Sequence, residues 1–273
     1  MVRHPPGVVP KFNHVVQGTE ELDEADLVVV ADGWNSLVRR NFPSAFGTSV
    51  DLRTNRFAWY GTRVRFETLT QTFRKHNLGC FTAHHYRYSS DMSTFIVEVD
   101  GETFQRAGLE QMSEDESRGV CELVFKDCLA GELLISNRSI WRQFPNVRNQ
   151  RWSHNQYVLV GDALRTAHFS IGSGTRLAME DVVALVKALG ENRGDMSAAL
   201  SAYEASRKPI VEKLLRAADA SLIWYEHFRE KMELDDYEFA MNYITRSGRV
   251  DLEKLRSISP KFVARYERAH AAK

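Results

Sequence analysis

Two unbroken apolar runs, each cut off by a polar turn, organise this chain. Residues 157–160, Tyr-Val-Leu-Val, stop at Gly161-Asp162 as a buried strand stops at the rim of a sheet. Residues 27–31 stop in the same way at Asp32-Gly33, and continuous runs of this kind predict strands covered on both faces. Behind Asp32-Gly33, Asn35 or Ser36 can cap a short helix. Behind Gly161-Asp162 comes a polar loop, then Gly172-Ser173-Gly174, then a helical pattern with apolar positions at Leu177, Val182, Val183, Leu185 and Val186.

Between the two runs the pattern shifts to partial alternation. Residues 57–66, 79–88 and 93–99 read as strands rich in aromatic and β-branched side chains, and 141–144 adds another. Ser113 and Glu116 form a capping box ahead of a helix whose apolar face holds Val120, Leu123, Val124 and Cys128. Beyond residue 190 the chain turns helical, with Asp195 capping a helix that carries Ala199, Leu200 and Tyr203. Pro209 should kink or restart that helix, and Val211, Leu214, Leu215, Ala218, Leu222, Trp224 and Tyr225 continue its apolar stripe. Asp235 with Glu238, and Ser259-Pro260, open further helices. The segment before Ala25, with Pro5, Pro6, Gly7, Pro10 and Gly18, reads as a loop with one strand around 12–16.

Composition narrows the range of partners. Lys plus Arg balances Asp plus Glu at 36 each, so no net field draws the chain to nucleic acid or to an anionic membrane. No apolar run approaches a membrane span, and the start lacks the charged-then-apolar layout of a signal peptide. Cys80, Cys121 and Cys128 are odd in number and form no Cys-x-x-Cys, which suits reduced, buried thiols in a cytoplasmic protein.

Candidate chemistry sits at the ends of the apolar runs. Asp162, at a strand's carboxyl end, can accept hydrogen bonds from a sugar or polyol hydroxyl. The helix start formed by Gly172, Ser173, Gly174 and Thr175 presents free backbone N–H groups and a positive dipole end to an anionic group. Together they read as half of a nucleotide-cofactor site; the bland alternative is an ordinary strand–loop–helix unit, since Gly-x-Gly alone is weak evidence. In 84–88, alternation puts His84, Tyr86 and Tyr88 on one face and His85 with Arg87 on the other. A neutral imidazole at His84 or His85 can take a phenolic proton near physiological pH, or serve a structural hydrogen bond. Trp59, Tyr60, Phe73 and Phe81 are pocket-wall candidates that ordinary core packing also explains.

The stretch 157–181 resembles the second flavin fingerprint of the FAD-dependent aromatic hydroxylases, the single-component flavoprotein monooxygenases. Ala31-Asp-Gly-Trp-Asn-Ser-Leu-Val-Arg39 matches that family's Ala-Asp-Gly-x-x-Ser-x-x-Arg motif residue for residue. The resemblance implies that Asp162, after Gly161, binds the ribityl chain and that Gly172–Thr175 faces the flavin. It assigns Asp32, Gly33 and Arg39 to the pyrophosphate region, and places His168 beside flavin or substrate, a structural role being the alternative. It further implies FAD as cofactor, NADH or NADPH as reductant, and aromatic hydroxylation through a flavin C4a-hydroperoxide.

Arg165, Ser170 and Arg176 stand where the broad family usually has histidine, proline and asparagine. With 168–175, 92–98 and 259–266, these departures resemble a subgroup of salicylyl-CoA and 2-aminobenzoyl-CoA hydroxylases and the violacein-pathway tryptophan hydroxylase. A CoA-linked aromatic substrate is therefore expected, an indole compound second. Arg53, Arg56, Arg63, Arg65, Arg74 and Lys75 are available for CoA phosphates, or form a solvated face. The family's opening Gly-x-Gly-x-x-Gly is not found before Ala25, so the N-terminal FAD-binding portion is expected to be absent. The expected fold is α/β: a partial FAD/NAD(P)-binding Rossmann-like domain (1–49 and 151–190), a mixed β-sheet substrate domain (50–150) and C-terminal helices (191–273). The chain would act as a homodimer, or with a chain supplying the missing segment. The rival expectations are an incomplete, non-catalytic fragment dependent on such a partner, and a halogenase or plain oxidoreductase of the same fold.

Overall fold

The structure is a computed structural model that describes residues 6–271, so Pro5 lies outside the described residues. Nine strands are formed among the described residues: β1 (Val28–Val30), β2 (Thr48–Thr62), β3 (Thr70–His76), β4 (Gly79–Arg87), β5 (Ser93–Val99), β6 (Leu134–Ile135), β7 (Arg142–Asn149), β8 (Ser153–His154) and β9 (Tyr157–Leu159). The chain resolves into two compact units. One holds the chain up to Ser49 with 147–166 and 176–206, and the other holds 50–146, 167–175 and 207–273.

In the first unit β1 runs parallel to β9, and β8 adds antiparallel to the far side of β9. β9 is fully buried, but Val29 in β1 is 46% exposed, so only one of the two apolar runs is covered on both faces. Trp152 and Tyr203 close this core, their rings 5.3 Å apart, while the Tyr203 hydroxyl donates to the Leu159 carbonyl at 3.4 Å. From the helix Gly174–Glu191 this unit buries Leu177, Asp181, Leu185 and Ala188, one face at spacings of four, four and three residues. Val182, Val183 and Val186, expected on the covered face, are exposed instead. The helical stripe is therefore centred on a carboxylate, which demands a buried partner.

The second unit is dominated by a six-stranded sheet of order β3-β4-β5-β2-β6, with β7 paired to β2. Its pairings β3–β4, β4–β5, β5–β2 and β2–β6 are all antiparallel. The expected Rossmann-like parallel domain is thus corrected to an α/β fold with a mixed, largely antiparallel sheet and C-terminal helices. The cause is local: β3 and β4 are separated by two residues and β4 and β5 by a short turn. Such links make hairpins, whereas parallel pairing needs a crossover of a dozen or more residues. β3 is a sheet edge, and its sequence Thr-Gln-Thr-Phe-Arg-Lys-His carries the charges that protect an edge from stray pairing.

Register sorts this sheet into two faces. Ala58, Val97 and Ala83 lie in one row and Tyr60, Phe95 and His85 in the next, on the face that forms the main core with Leu109, Cys121, Phe125 and Leu129. Phe57, Glu98 and Thr82, then Trp59, Ile96 and His84, form the rows of the other face. The helix Glu114–Val124 carries the expected Ser113/Glu116 capping box, although Leu123 is exposed and Cys121 takes its place inside. Asp195 caps the helix Met196–Glu226, which runs through Pro209 without the expected restart. The helices Asp236–Thr245 and Pro260–His270 begin at Asp235 and at Ser259-Pro260. Residues 12–16 form no strand. No helix among the described residues is long and apolar enough to cross a membrane.

Candidate functional site

In the first unit, Gly161 follows β9 in the left-handed region at φ 58° and opens the short helix Gly161–Leu164. Its N–H points to Asp181 Oδ2 at 3.4 Å, and an added Cβ would come within 3.3 Å of the Ala178 methyl. Asp162 is exposed and takes no hydrogen bond or ion pair among the described residues. Protein on its inner side pushes its carboxyl pKa above the usual value, and Arg165 pulls it back. It is an uncommitted acceptor at a strand end.

Arg39 is different. Its side chain is buried, with Nη1 donating to the Ala163 carbonyl at 2.9 Å and Nη2 to that of Trp34. Arg39 therefore ties the Asp-Gly segment to the Gly-Asp segment through backbone carbonyls. Asp32 accepts the Leu37 N–H at 2.7 Å and Ser36 accepts that of Arg39 at 3.2 Å, so the two side chains cap the helix Leu37–Asn41. Gly33, at φ 84°, makes the turn between them, and a Cβ there would meet nothing within 4 Å.

Arg165 and Asp181 form a buried ion pair at 2.7 Å, their side chains 4% and 0% exposed. The guanidinium also lies over the Trp152 ring at 5.8 Å. The unusual residue at 165 and the carboxylate within an apolar helical stripe thus answer each other.

The second unit builds an aromatic wall on the outer face of its sheet. Phe169 stands at its centre, with ring centroids of His168 at 4.3 Å, Phe57 at 5.0 Å, His84 at 6.0 Å and Phe144 at 6.2 Å. Tyr225 adds its ring 5.5 Å from His168. His84 and His168 are brought together here, and burial lowers their pKa values to about 4 and about 3, with Arg246 also acting on His168. His85 goes elsewhere, into the core between Phe66 and Phe95, with Nε2 3.0 Å from the Thr72 hydroxyl. Tyr60 and Phe81 are likewise core residues, Phe73 packs with Trp224 and Phe228, and Trp59 is exposed. Gly172, at φ 58°, ends the turn Phe169–Ile171, and neither it nor Gly174 would place a Cβ within 4 Å of another group. The Ser173 hydroxyl donates to the Ile171 carbonyl at 3.2 Å, and Thr175 is exposed.

A chain of hydrogen bonds fixes the form of His168. Arg246 Nε donates to Ser221 Oγ at 3.0 Å; Ser221 and Ser170 hydroxyls are 2.8 Å apart, and Ser170 Oγ is 2.8 Å from His168 Nδ1. A guanidinium can only donate, so Ser221 Oγ accepts from Arg246 and is free to donate to Ser170, whose hydroxyl can in turn donate to Nδ1. The Ser170 N–H also points at Nδ1, at 3.4 Å. Neutral His168 therefore carries its proton on Nε2 and offers a donor there. Heteronuclear NMR of the ring nitrogens should find Nδ1 unprotonated in the intact chain and a mixture of tautomers in Ser170→Ala. A protonated Nδ1 in the intact chain would remove the donor assignment.

Sequence reasoning did not single out Glu98, Asn55, Ser221 or Arg246 as site residues. Glu98 is buried on the aromatic face, where Asn55 Nδ2 donates to its Oε1 at 2.8 Å and to the Tyr225 carbonyl at 2.8 Å. Burial raises its pKa to about 8, with the Asn55 hydrogen bond opposing and nearby Glu226 adding to the rise. One signal was available: an acid inside the apolar run Thr-Phe-Ile-Val-Glu-Val. Arg246 and Ser221 carry no local signal, because they meet His168 only through the fold.

Comparison with known proteins agrees with this geometry. The chain is 40% identical to a salicyloyl-CoA 5-hydroxylase of a Streptomyces species, over 88% of this chain and 48% of that protein. It is 40% identical to protodeoxyviolaceinate monooxygenase of Chromobacterium violaceum, over 84% of this chain and 61% of that protein. The chain thus spans roughly half to three fifths of the length of these relatives. Its fold is shared with 2-methyl-3-hydroxypyridine-5-carboxylic acid oxygenase, at a TM-score of 0.58, 16% identity, and coverage of 82% of this chain and 59% of that one. The FAD binding domain family matches residues 1–218. That match, over most of the chain, overturns the expectation that the FAD-binding portion is absent. With it covering most of the sequence, the chain belongs to the FAD binding domain family.

Proposed function

We propose that this chain serves an FAD-dependent, NADH- or NADPH-using monooxygenase that hydroxylates an aromatic ring, carried as a CoA thioester. The observation that supports it best is the wall around Phe169, where Phe57, Phe144, Tyr225 and two neutral histidines gather on one sheet face. Aromatic rings stack well on such a surface, and neutral imidazoles suit a phenol or aniline better than cations do. His84 would accept a hydrogen bond from a ring substituent, and His168 would donate from Nε2 to a ring or carbonyl oxygen. The bound flavin supplies the oxygen-activating chemistry.

The residues assigned to FAD fit the group. Asp162 is exposed and unpaired, as an acceptor for ribityl hydroxyls should be. The open Cβ positions at Gly172 and Gly174 leave amides of the Gly172–Thr175 stretch accessible to the flavin. Asp32, Gly33 and Arg39 would serve the pyrophosphate region, Arg39 by fixing the backbone around it. The test is a visible spectrum of the purified chain, followed by NADH and NADPH oxidation with and without an aryl-CoA. Retained flavin, and oxidation stimulated by the thioester, are expected. Asp162→Ala should weaken FAD binding by about tenfold or more, the loss of one or two hydrogen bonds to a charged group. A wild-type chain that takes up no flavin, or an Asp162→Ala variant that binds it unchanged, would refute the assignment.

A further inference from the structure

A second binding surface lies on the helices of the larger unit. Lys213, Arg216 and Ala217 of the helix Met196–Glu226 face Ser247, Gly248 and Arg249 across a cleft of about 490 Å³. Three cations line it and no carboxylate does. None of the three cationic groups enters an ion pair or a hydrogen bond among the described residues. Of the six basic residues expected to meet phosphates, Arg53 pairs with Asp51 and Glu226, Lys75 with Glu233, Arg74 contacts the Cys128 sulfur and Arg56 donates to the Thr54 carbonyl, while Arg63 and Arg65 are exposed and are not among the residues lining this cleft. Charge left unpaired on one wall is charge available to a ligand.

The wall is also built, not frayed. The Gly248 N–H closes a turn onto the Thr245 carbonyl at 2.9 Å, and Gly248 adopts φ 66°, which favours glycine at the tip. Arg246 immediately precedes this turn, donating to Ser221 and to the Ser170 carbonyl and lying 3.9 Å over the Tyr243 ring. Ala217 stands one helical turn from Ser221. The cleft and the aromatic wall therefore share one scaffold, joined through Arg246 and Ser221.

We infer that Lys213, Arg216 and Arg249 form an anion site that takes the phosphate groups of a CoA thioester while its aromatic acyl group lies against Phe169. Two guanidinium forks and an ammonium suit a diphosphate and a ribose phosphate, which accept several charge-assisted hydrogen bonds. The inference rests on the aryl-CoA reading, and it is tested by binding alone, so that a chain without flavin or turnover still answers. Coenzyme A, pantetheine, NADPH and inorganic pyrophosphate are each titrated calorimetrically into the full chain at low and moderate salt. Coenzyme A should bind more tightly than phosphate-free pantetheine, and the difference should shrink as salt screens the exposed cations. The double variant Arg216→Glu/Arg249→Glu should weaken coenzyme A by about tenfold or more. It should leave pantetheine affinity and the melting temperature unchanged. Lys213→Arg, which keeps the charge, should retain most of the affinity. Equal binding of coenzyme A and pantetheine overturns the site, as does a double variant with intact preference for coenzyme A. Loss of NADPH binding alone would assign the cleft to the reductant and equally overturn the proposal. Loss of coenzyme A binding together with a lowered melting temperature would show that these residues stabilise the fold, and the site would fall.

Discussion

Replacing Asp181 by alanine is expected to destabilise the folded chain by about 3–5 kcal/mol, the cost of leaving a buried guanidinium without its counter-charge. The pair is 2.7 Å long and excluded from water on both sides. Arg165 has little else to fall back on, since its Nε and Nη2 are buried without a hydrogen-bond partner. The apolar double variant Arg165→Met/Asp181→Leu should recover most of the loss, because neither member then needs solvating in the interior. Urea unfolding followed by tryptophan fluorescence measures both, Trp152 lying 5.8 Å from the guanidinium. An Asp181→Ala variant as stable as the wild type would mean that water reaches Arg165.

Glu98→Gln should reshape the dependence of stability on pH. The Glu98 carboxyl titrates at about 8 in the folded chain against an ordinary value of 4.5, so between those values the folded state holds a proton that the unfolded state has released. Stability from this group is fully present below pH 4.5 and is lost as pH rises towards 8, on the order of 5 kcal/mol in all. The histidines act oppositely. His84 and His85 fall from 6.5 to about 4 and His168 to about 3, so each favours folding increasingly as pH climbs to 6.5. The three rising contributions oppose the falling one up to 6.5, and above it theirs are complete while that of Glu98 still falls, so the sum over these four groups peaks near pH 6.5. Glutamine can still accept from Asn55, so the variant should match the wild type near pH 5, exceed it near pH 8, and lose the falling limb. Thermal unfolding across that range decides the matter; parallel curves for the two proteins would show that Glu98 ionises freely.

Much of this was legible in the sequence wherever the cause is local. Ser93–Val99 is a strand end to end because a β-branched and aromatic run leaves no other way to bury both faces. Ser36, Ser113, Asp195 and Asp235 cap the helices they precede because a cap is read within three residues. What escaped was set at long range. β3 is polar because it is an edge, a fact about its neighbours and not about its own residues. Val182 and Val186 look like core until the helix is rotated by Asp181, whose orientation depends on Arg165. The partition of His84 and His85 followed from alternation, but which face carried Phe169 did not. The Rossmann-like domain was over-read from two short runs: they do pair in parallel, but with only the antiparallel β8 beside them, while the larger sheet is antiparallel.

Asn55 gives the molecule a shared hinge-pin. A single amide nitrogen holds the Glu98 carboxyl and the Tyr225 main chain at once, while its own oxygen is buried with no partner. A proton gained or lost at Glu98 therefore changes the grip on the segment that carries the Tyr225 ring, the neighbour of His168. Acidity deep in the sheet and the hold on the Tyr225 main chain meet at one amide nitrogen.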